Sequence, residues 1–133
     1  DSIRGAIAAG VKIAVGTDLL PSDPLDGTNA TVRELELLVE AGMTCLQAIR
    51  AATLSSAELC QVDHITGSLA EGKQGDLIVV GGEPDKSISD MRNLVMVVKG
   101  GHIVWSNLAG HEVRCVGVLP TGIDIGGGTF CDW

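Results

Sequence analysis

Aromatic residues are scarce in this sequence. Only 2% of its 133 residues are aromatic, and Tyr does not occur. This scarcity argues against the aromatic platforms on which single-stranded nucleic acids stack. The hydrophobic fraction is nevertheless 45%, so aliphatic side chains must build a core between helices and strands. The composition predicts a folded domain rather than a disordered chain.

The sequence also lacks clusters of basic residues and long apolar runs. It carries 9 Lys and Arg against 17 Asp and Glu, which gives a formal net charge of −8. Nucleic acids and anionic membrane surfaces attract positive charge, so they are poor partners for such a chain. No apolar run approaches the ~20 residues that a membrane-spanning helix needs. We therefore expect no nucleic acid and no membrane as a partner.

The cysteines lack the spacing of a metal or redox motif, because no two of them form a C-x-x-C pair. Cys45 and Cys60 fall in predicted helices, and we expect them to be reduced and buried in a cytoplasmic protein. A small zinc site built from cysteines and histidines stays open as an alternative. Its candidate ligands are Cys45, Cys60, Cys115, Cys131, His64, His102 and His111.

The most informative stretch runs from Val11 to Asp18. Its apolar and β-branched residues predict a short buried strand over 11–15, and Gly16 and Thr17 then lead to a carboxylate. The carboxyl ends of barrel strands carry the chemistry in parallel α/β barrels, which makes Asp18 a catalytic candidate. From the strand alone, a loop aspartate that binds nearby backbone amides is the favoured interpretation of Asp18.

A loop rich in Pro, Asp and Gly follows this strand over 19–30. It leaves the carboxyl end of the strand, so its polar side chains should lie on the same side as Asp18. Asp23, Asp26 and Asn29 are therefore candidates for substrate contact. Turn formation and helix capping are the alternative roles of these three residues.

Helix signals precede and follow this loop. A helix is predicted over 2–9, and capping boxes at Thr31, Thr44 and Ser55 predict three more starts. The first of these three helices should end at Gly42. Its buried side chains should be Leu35, Leu38 and Val39, and the second helix should present Leu46, Ala48, Ile49, Ala51 and Ala52.

The pattern becomes extended after residue 65. Strands are predicted over 76–80, 94–99 and 102–105, and Gly100 and Gly101 form the turn of a hairpin between the last two. These strands should form a small sheet apart from the helices. Two further strands are possible over 113–119 and 123–125.

Four of these stretches, in this order and spacing, resemble the C-terminal part of the amidohydrolase superfamily. The group that they resemble most contains imidazolonepropionase-like and Xaa-Pro-dipeptidase-like enzymes. The stretches are 10–18, 34–44, 48–59 and 67–80. The resemblance implies an α/β fold with the last strand and helices of a TIM-type (β/α)8 barrel, followed by strands of a small β-sandwich. The implied divisions are barrel over 1–62, sandwich strands over 63–106 and an unassigned tail over 107–133.

The resemblance also implies a function. These enzymes are metal-dependent hydrolases that cleave an amide, peptide-like or cyclic C–N bond, and zinc is the expected metal. Asp18 matches the last-strand aspartate, which lies beside the metal and handles the proton of the attacking water. A small amide or dipeptide-like substrate and a homo-oligomer are the implied partners.

The family's other metal ligands cannot be mapped onto this sequence. The sequence has no His-x-His, and its histidines all follow Asp18. One carboxylate does not hold zinc with useful affinity. A complete barrel takes about 250 residues, so we expect a fragment of a longer enzyme that is incomplete as a fold, inactive alone and free of bound metal. The alternative is a non-catalytic structural or assembly module.

Overall fold

The computed structural model describes residues 2–18 and 27–108, with the backbone alone over 27–29. The strands predicted over 113–119 and 123–125 lie outside this range, as do His111, Cys115 and Cys131. Within the range, no helix is both long enough and apolar enough to span a membrane.

The first two helices match the predicted segments with one shifted boundary. Helix α1 spans Ser2–Ala8 and α2 spans Gly27–Glu40. The predicted start of α2 at Thr31 is wrong, because the helix begins four residues earlier and Thr31 lies inside it. Gly27, Thr28 and Asn29 have low intrinsic helix propensities, so no local signal in the sequence places the helix start upstream of the capping pattern.

The end of α2 is as predicted. Gly42 adopts a φ of +117°, and its N–H donates to the Val39 carbonyl at 2.9 Å. The N–H of Met43 donates to the Leu38 carbonyl at 3.1 Å. This pair of bonds is the Schellman motif, which satisfies the last carbonyls of a helix.

The next helix begins at the predicted capping box. The Thr44 hydroxyl accepts the Gln47 N–H at 3.2 Å, and the Gln47 side chain accepts the Thr44 N–H at 2.8 Å. Helix α3 then spans Cys45–Arg50 and runs directly into a π-helix over Ala51–Ser55 and into α4 over Ser56–Leu59.

The capping box predicted at Ser55 is wrong. Ser55 has helical backbone angles, makes no capping bond with its side chain and is 6% exposed. It continues the helix instead of starting one, since an N-cap residue has non-helical backbone angles. The π-helix was not predicted.

A three-stranded antiparallel sheet follows, in the order β1-β2-β3. Strand β1 spans Leu77–Val80, β2 spans Leu94–Lys99 and β3 spans His102–Ser106. Gly100 and Gly101 both have positive φ and join β2 to β3, which confirms the predicted hairpin. The described residues form one sheet layer, so the second layer of a sandwich and the division at residue 62 stay predictions.

The core lies between the helices and reaches the sheet region through a short 3₁₀ helix. It contains Leu35, Leu38, Ala48, Ala51 and Ile88, and Ile88 opens the 3₁₀ helix Ile88–Arg92. Because Ile88 packs against side chains of α2 and α3, this short helix ties the connection between β1 and β2 to the helical part.

Two expectations of burial are wrong. Leu46 is 63% exposed on the outer face of α3, and Cys60 is exposed just beyond α4. Cys45 is partly buried, and both cysteines are free thiols. The error at Leu46 arises because the hydrophobic face of α3 is filled by small residues, Ala48 above all, which let the helices approach closely.

Candidate functional site

The candidate site lies at the end of the segment 11–18, which we call the Asp18 segment. The strand predicted over 11–15 is not formed: within the described residues no neighbour pairs with this segment. A strand needs a hydrogen-bonded partner, and the described strands pair only with one another. The segment is also only partly buried, not buried as predicted: residues 13–15 are half-buried and Val11 is exposed.

Side-chain contacts hold the Asp18 segment against the helices. Ile13 and Val15 pack against the core cluster. The Val15 N–H donates to the Ser56 hydroxyl at 3.3 Å, and Lys12 forms an ion pair with Glu58 at 2.9 Å. The segment therefore lies along the π-helix and α4, with Ile13 and Val15 packed against the core, whereas Val11 is 56% exposed.

Asp18 is exposed at the end of this segment and adopts a φ of +51°. Left-handed backbone is uncommon outside glycine, although Asp and Asn tolerate it better than other residues. Such conformations cluster at functional sites, where the surrounding structure enforces them. The catalytic role of Asp18 stays a prediction, and its exposure leaves the carboxylate accessible.

The other candidate residues lie wholly or partly outside the described structure. Asp23 and Asp26 lie outside the described residues. The backbone of Asn29 lies in the first turns of α2, and its side chain lies outside the description. Their role in substrate contact stays a prediction.

The described residues do not by themselves form a metal site. Among residues 2–18 and 27–108, no group of three or more His, Cys, Asp and Glu side chains comes together as a ligand set. His64 and His102 are exposed, and the His102 ring contacts the Gly100 carbonyl at 3.1 Å. Since one carboxylate does not make a zinc site, Asp18 would need ligands from elsewhere.

A shallow cavity of about 190 Å³ opens at the other end of the Asp18 segment. Residues of α1, Val11, Lys12 and Ile13 line it together with residues of α3 and the π-helix. Asp18 does not line it, so this cavity is not the candidate catalytic site.

The strongest electrostatic cluster surrounds Glu36 on α2. The Arg92 guanidinium donates to both Glu36 oxygens at 2.9 Å, and the Ser89 hydroxyl donates to one of them at 3.0 Å. The Arg92 hydrogen bonds are the main cause that lowers the pKa of Glu36 to about 2. No local pattern in the sequence indicates this cluster, because 56 residues separate Glu36 from Arg92.

Contacts of Lys73 and Asp76 stabilise the turn before β1. The Lys73 ammonium donates to the Ser68 hydroxyl at 2.6 Å, which closes the turn. Asp76 accepts the Gly100 N–H at 2.7 Å and pairs with Lys99. The Lys99 contact, followed by the Gly100 bond, lowers the pKa of the Asp76 carboxyl. These contacts join the turn to the hairpin.

Comparison with known proteins identifies the family. The sequence model described as "Amidohydrolase family" matches residues 1–104. The chain belongs to this family. It is 38% identical over 105 residues to an ochratoxinase of Aspergillus niger and 34% identical over 107 residues to an imidazolonepropionase of Porphyromonas gingivalis. The predicted family resemblance is confirmed.

A solved structure agrees with the sequence comparison. The fold matches a Xaa-Pro dipeptidase, crystallised with methionine in its active site, with a TM-score of 0.72 and 38% identity. The match covers 80% of this chain and 25% of the dipeptidase chain. The ochratoxinase and imidazolonepropionase matches cover 75% and 78% of this chain but only 21% and 25% of those proteins. The chain thus corresponds to about a fifth to a quarter of its amidohydrolase relatives.

Proposed function

We propose that this chain supplies the last barrel strand and the following helices of a metal-dependent amidohydrolase that cleaves a C–N bond. The observation that carries the proposal is the position of Asp18, exposed and left-handed at the end of a segment packed on the core. The names of the relatives support the reaction class, since ochratoxinase, imidazolonepropionase and Xaa-Pro dipeptidase are hydrolases of such bonds.

In this proposal Asp18 works as a general base and then as a general acid. Its carboxylate oxygen takes the proton of the water that attacks the substrate carbonyl. The same carboxyl group then protonates the leaving nitrogen, which completes the cleavage without net consumption of a proton. Asp23, Asp26 and Asn29 are proposed to contact a small amide or dipeptide-like substrate.

We propose that the metal, zinc by preference, is held chiefly by side chains that this chain does not contain. The observation behind this is the lack of a ligand cluster in the described residues, together with the lack of a His-x-His in the sequence. The isolated chain should therefore be inactive, and no step of the mechanism is assigned to a metal bound by the described residues alone.

The experiment is a hydrolysis assay on the longer protein proposed to contain this chain, expressed from its native locus. X-Pro dipeptides and N-acyl amino acids are the substrates. Asp18→Ala should lower kcat by about 10²–10⁴-fold, the usual contribution of a positioned acid–base group. Asp63→Ala, which removes another carboxylate of the same chain, is the matched control and should retain kcat. An Asp18→Ala protein as active as the wild type would refute the proposal.

The exposed sheet favours a second proposal, that the chain is a non-catalytic assembly module. All five residues of β3 are exposed, and Ile103, Val104 and Trp105 are 50%, 60% and 45% exposed on its two faces. Apolar surface of this kind is more stable when another chain covers it. We also propose that the protein is a cytoplasmic homo-oligomer, consistent with the free thiols of Cys45 and Cys60.

The molar mass in solution, measured by light scattering, tests the proposed assembly role. Ile103→Lys should lower the molar mass if the sheet is an interface between copies of the chain. Leu59→Lys is the control, since Leu59 is 74% exposed on α4 and away from the sheet. A monomeric wild-type protein would contradict the assembly role.

A further inference from the structure

A serine hydroxyl connects the helices to the segment that carries Asp18. Ser56, the first residue of α4, donates its hydroxyl proton to the Ala51 carbonyl at 2.8 Å and accepts the Val15 N–H at 3.3 Å. The hydroxyl is partly buried, so water competes less for both bonds. Both the donor and an acceptor site of this side chain are therefore used within the fold.

The π-helix explains how Ser56 reaches the segment. Hydroxyl side chains in helices commonly donate to the carbonyl four residues earlier, and Thr53, although it lies within the π-helix, still does so to Ile49 at 2.8 Å. Ser56 instead reaches five residues back, which is the spacing of a π-turn. The extra residue in the turn rotates the residues after it by about 100° around the helix axis. A regular helix would therefore place position 56 on a different face.

Among the bonds that the structure describes, the bond to Ser56 is the directional link nearest to Asp18. Within the described residues, Val15 is the one residue of 12–18 whose backbone N–H or carbonyl bonds to the rest of the chain. The Lys12–Glu58 ion pair lies farther from Asp18, and the Lys12 side chain is 69% exposed. Exposed ion pairs restrain a backbone weakly because solvent competes for both charges.

We propose that Ser56 is a positioning residue for Asp18, acting through the Val15 amide from the π-helix Ala51–Ser55. The importance of that position for catalysis rests on the function proposed above. The structural part of the inference is independent of that function, because it concerns only how the Asp18 segment is held. The Ser56 hydroxyl fixes the backbone three residues before Asp18, and Ile13 and Val15 fix its apolar side.

Amide hydrogen exchange, followed by NMR on the full 133-residue chain, tests the inference without a substrate. Ser56→Ala should speed exchange at Val15 about fivefold, the effect of losing a hydrogen bond of ~1 kcal/mol, and should shift the Asp18 amide resonance. Ser56→Thr keeps the hydroxyl and should restore both signals. Thr53→Ala removes a helix hydroxyl that does not touch the segment, and both signals should stay as in the wild type.

The inference would be overturned by unchanged Val15 exchange in Ser56→Ala, by an Asp18 resonance insensitive to that change, or by an equal response in Thr53→Ala. Faster exchange spread evenly over α2 would also overturn it, since that indicates general destabilisation. Failure of the hydrolysis assay would refute the proposed function and leave these exchange results valid. The two failures are therefore distinguishable.

Discussion

Gly67 occupies the tightest approach between the turn before β1 and the helical part. Its φ is +86°, and a Cβ at this position would lie 2.5 Å from the Ala57 Cβ and 3.2 Å from the Thr53 carbonyl oxygen. Both obstacles belong to the π-helix and α4, and α4 also holds the Asp18 segment through Ser56. A substitution here would therefore push against the helix that supports the candidate site.

Gly67→Ala should lower the free energy of unfolding by about 2–4 kcal/mol, because a left-handed alanine and a steric clash add together. Urea denaturation measures this. Gly72→Ala is the matched control: its φ is +83°, but no atom lies within 4 Å of the added Cβ. The control should lose only about 1–2 kcal/mol. Equal losses at the two positions would show that the close approach does not exist.

Gln61 is the second residue with an unusual backbone, at a φ of +59°. It ends α4 as Gly42 ends α2: the Val62 N–H donates to the Ala57 carbonyl at 2.9 Å, and the Gln61 N–H donates to the Glu58 carbonyl at 3.1 Å. The same Schellman motif is thus formed without glycine.

Gln61→Gly should stabilise the protein by about 0.5–1 kcal/mol. Glycine removes the strain of the left-handed conformation, and the larger conformational entropy of glycine in the unfolded state offsets part of this stabilisation. The thermal midpoint and the urea midpoint should both rise. Gln74→Gly, at a position with negative φ, should lower them. A destabilised Gln61→Gly variant would contradict the assigned conformation.

Residues with local signals were predictable from the sequence, and those that depend on distant partners were not. The Thr44 capping box and the Gly42 stop need only their neighbours, and both are confirmed. The Ser56 bond depends on a π-turn that no simple pattern announces. The catalytic assignment of Asp18 came from the family resemblance, since its exposed carboxylate alone is ambiguous.

Among the elements, α2 and the 3₁₀ helix Ile88–Arg92 are joined by the cluster around Glu36. Arg92 and Ser89 come from the 3₁₀ helix, and Arg33 on α2 adds a contact at 3.3 Å. Removal of one partner would leave the other charges in a partly buried position. This cluster therefore links the helical part to the sheet region through charge as well as through Ile88.

The stability of this link should depend on pH. The pKa of Glu36 falls from 4.5 to about 2 on folding, so the folded state favours the ionised carboxylate. Its stabilisation is complete above pH ~4.5 and is lost as the pH falls toward 2. Wild type should therefore lose more stability over this window than Glu36→Gln, as measured by urea denaturation at several pH values.

The exposed ion pair between Lys86 and Glu83 provides the control for this pH experiment. Lys86→Ala should retain the pH dependence of the wild type, because exposed pairs contribute little. If Glu36→Gln and wild type lose stability in parallel between pH 4.5 and 2, the Glu36 carboxylate does not carry the pH dependence.

The predicted strands differ in how well the structure agrees with them. Strands β1, β2 and β3 appear where the extended pattern and the Gly-Gly turn placed them, because each of them finds its partner among the other two. The strand over 11–15 had the right composition but lacks a partner among the described residues. Pairing is a property of the assembly of strands, which a local pattern does not report.

At the scale of the whole molecule, the chain contains a portion of an amidohydrolase. The family match over residues 1–104 and the coverage of 25% of the Xaa-Pro dipeptidase agree on this. The central claim is the proposal that Asp18 is one member of a catalytic centre whose metal ligands are supplied chiefly by side chains outside this chain.

Metal content of the purified 133-residue chain tests that claim most directly. The chain and its Asp18→Ala variant are compared by mass spectrometry for bound zinc after dialysis against a zinc-containing buffer. We predict no stoichiometric zinc in either protein. About one zinc per chain, lost in Asp18→Ala, would contradict the claim and show that the chain completes a metal site by itself.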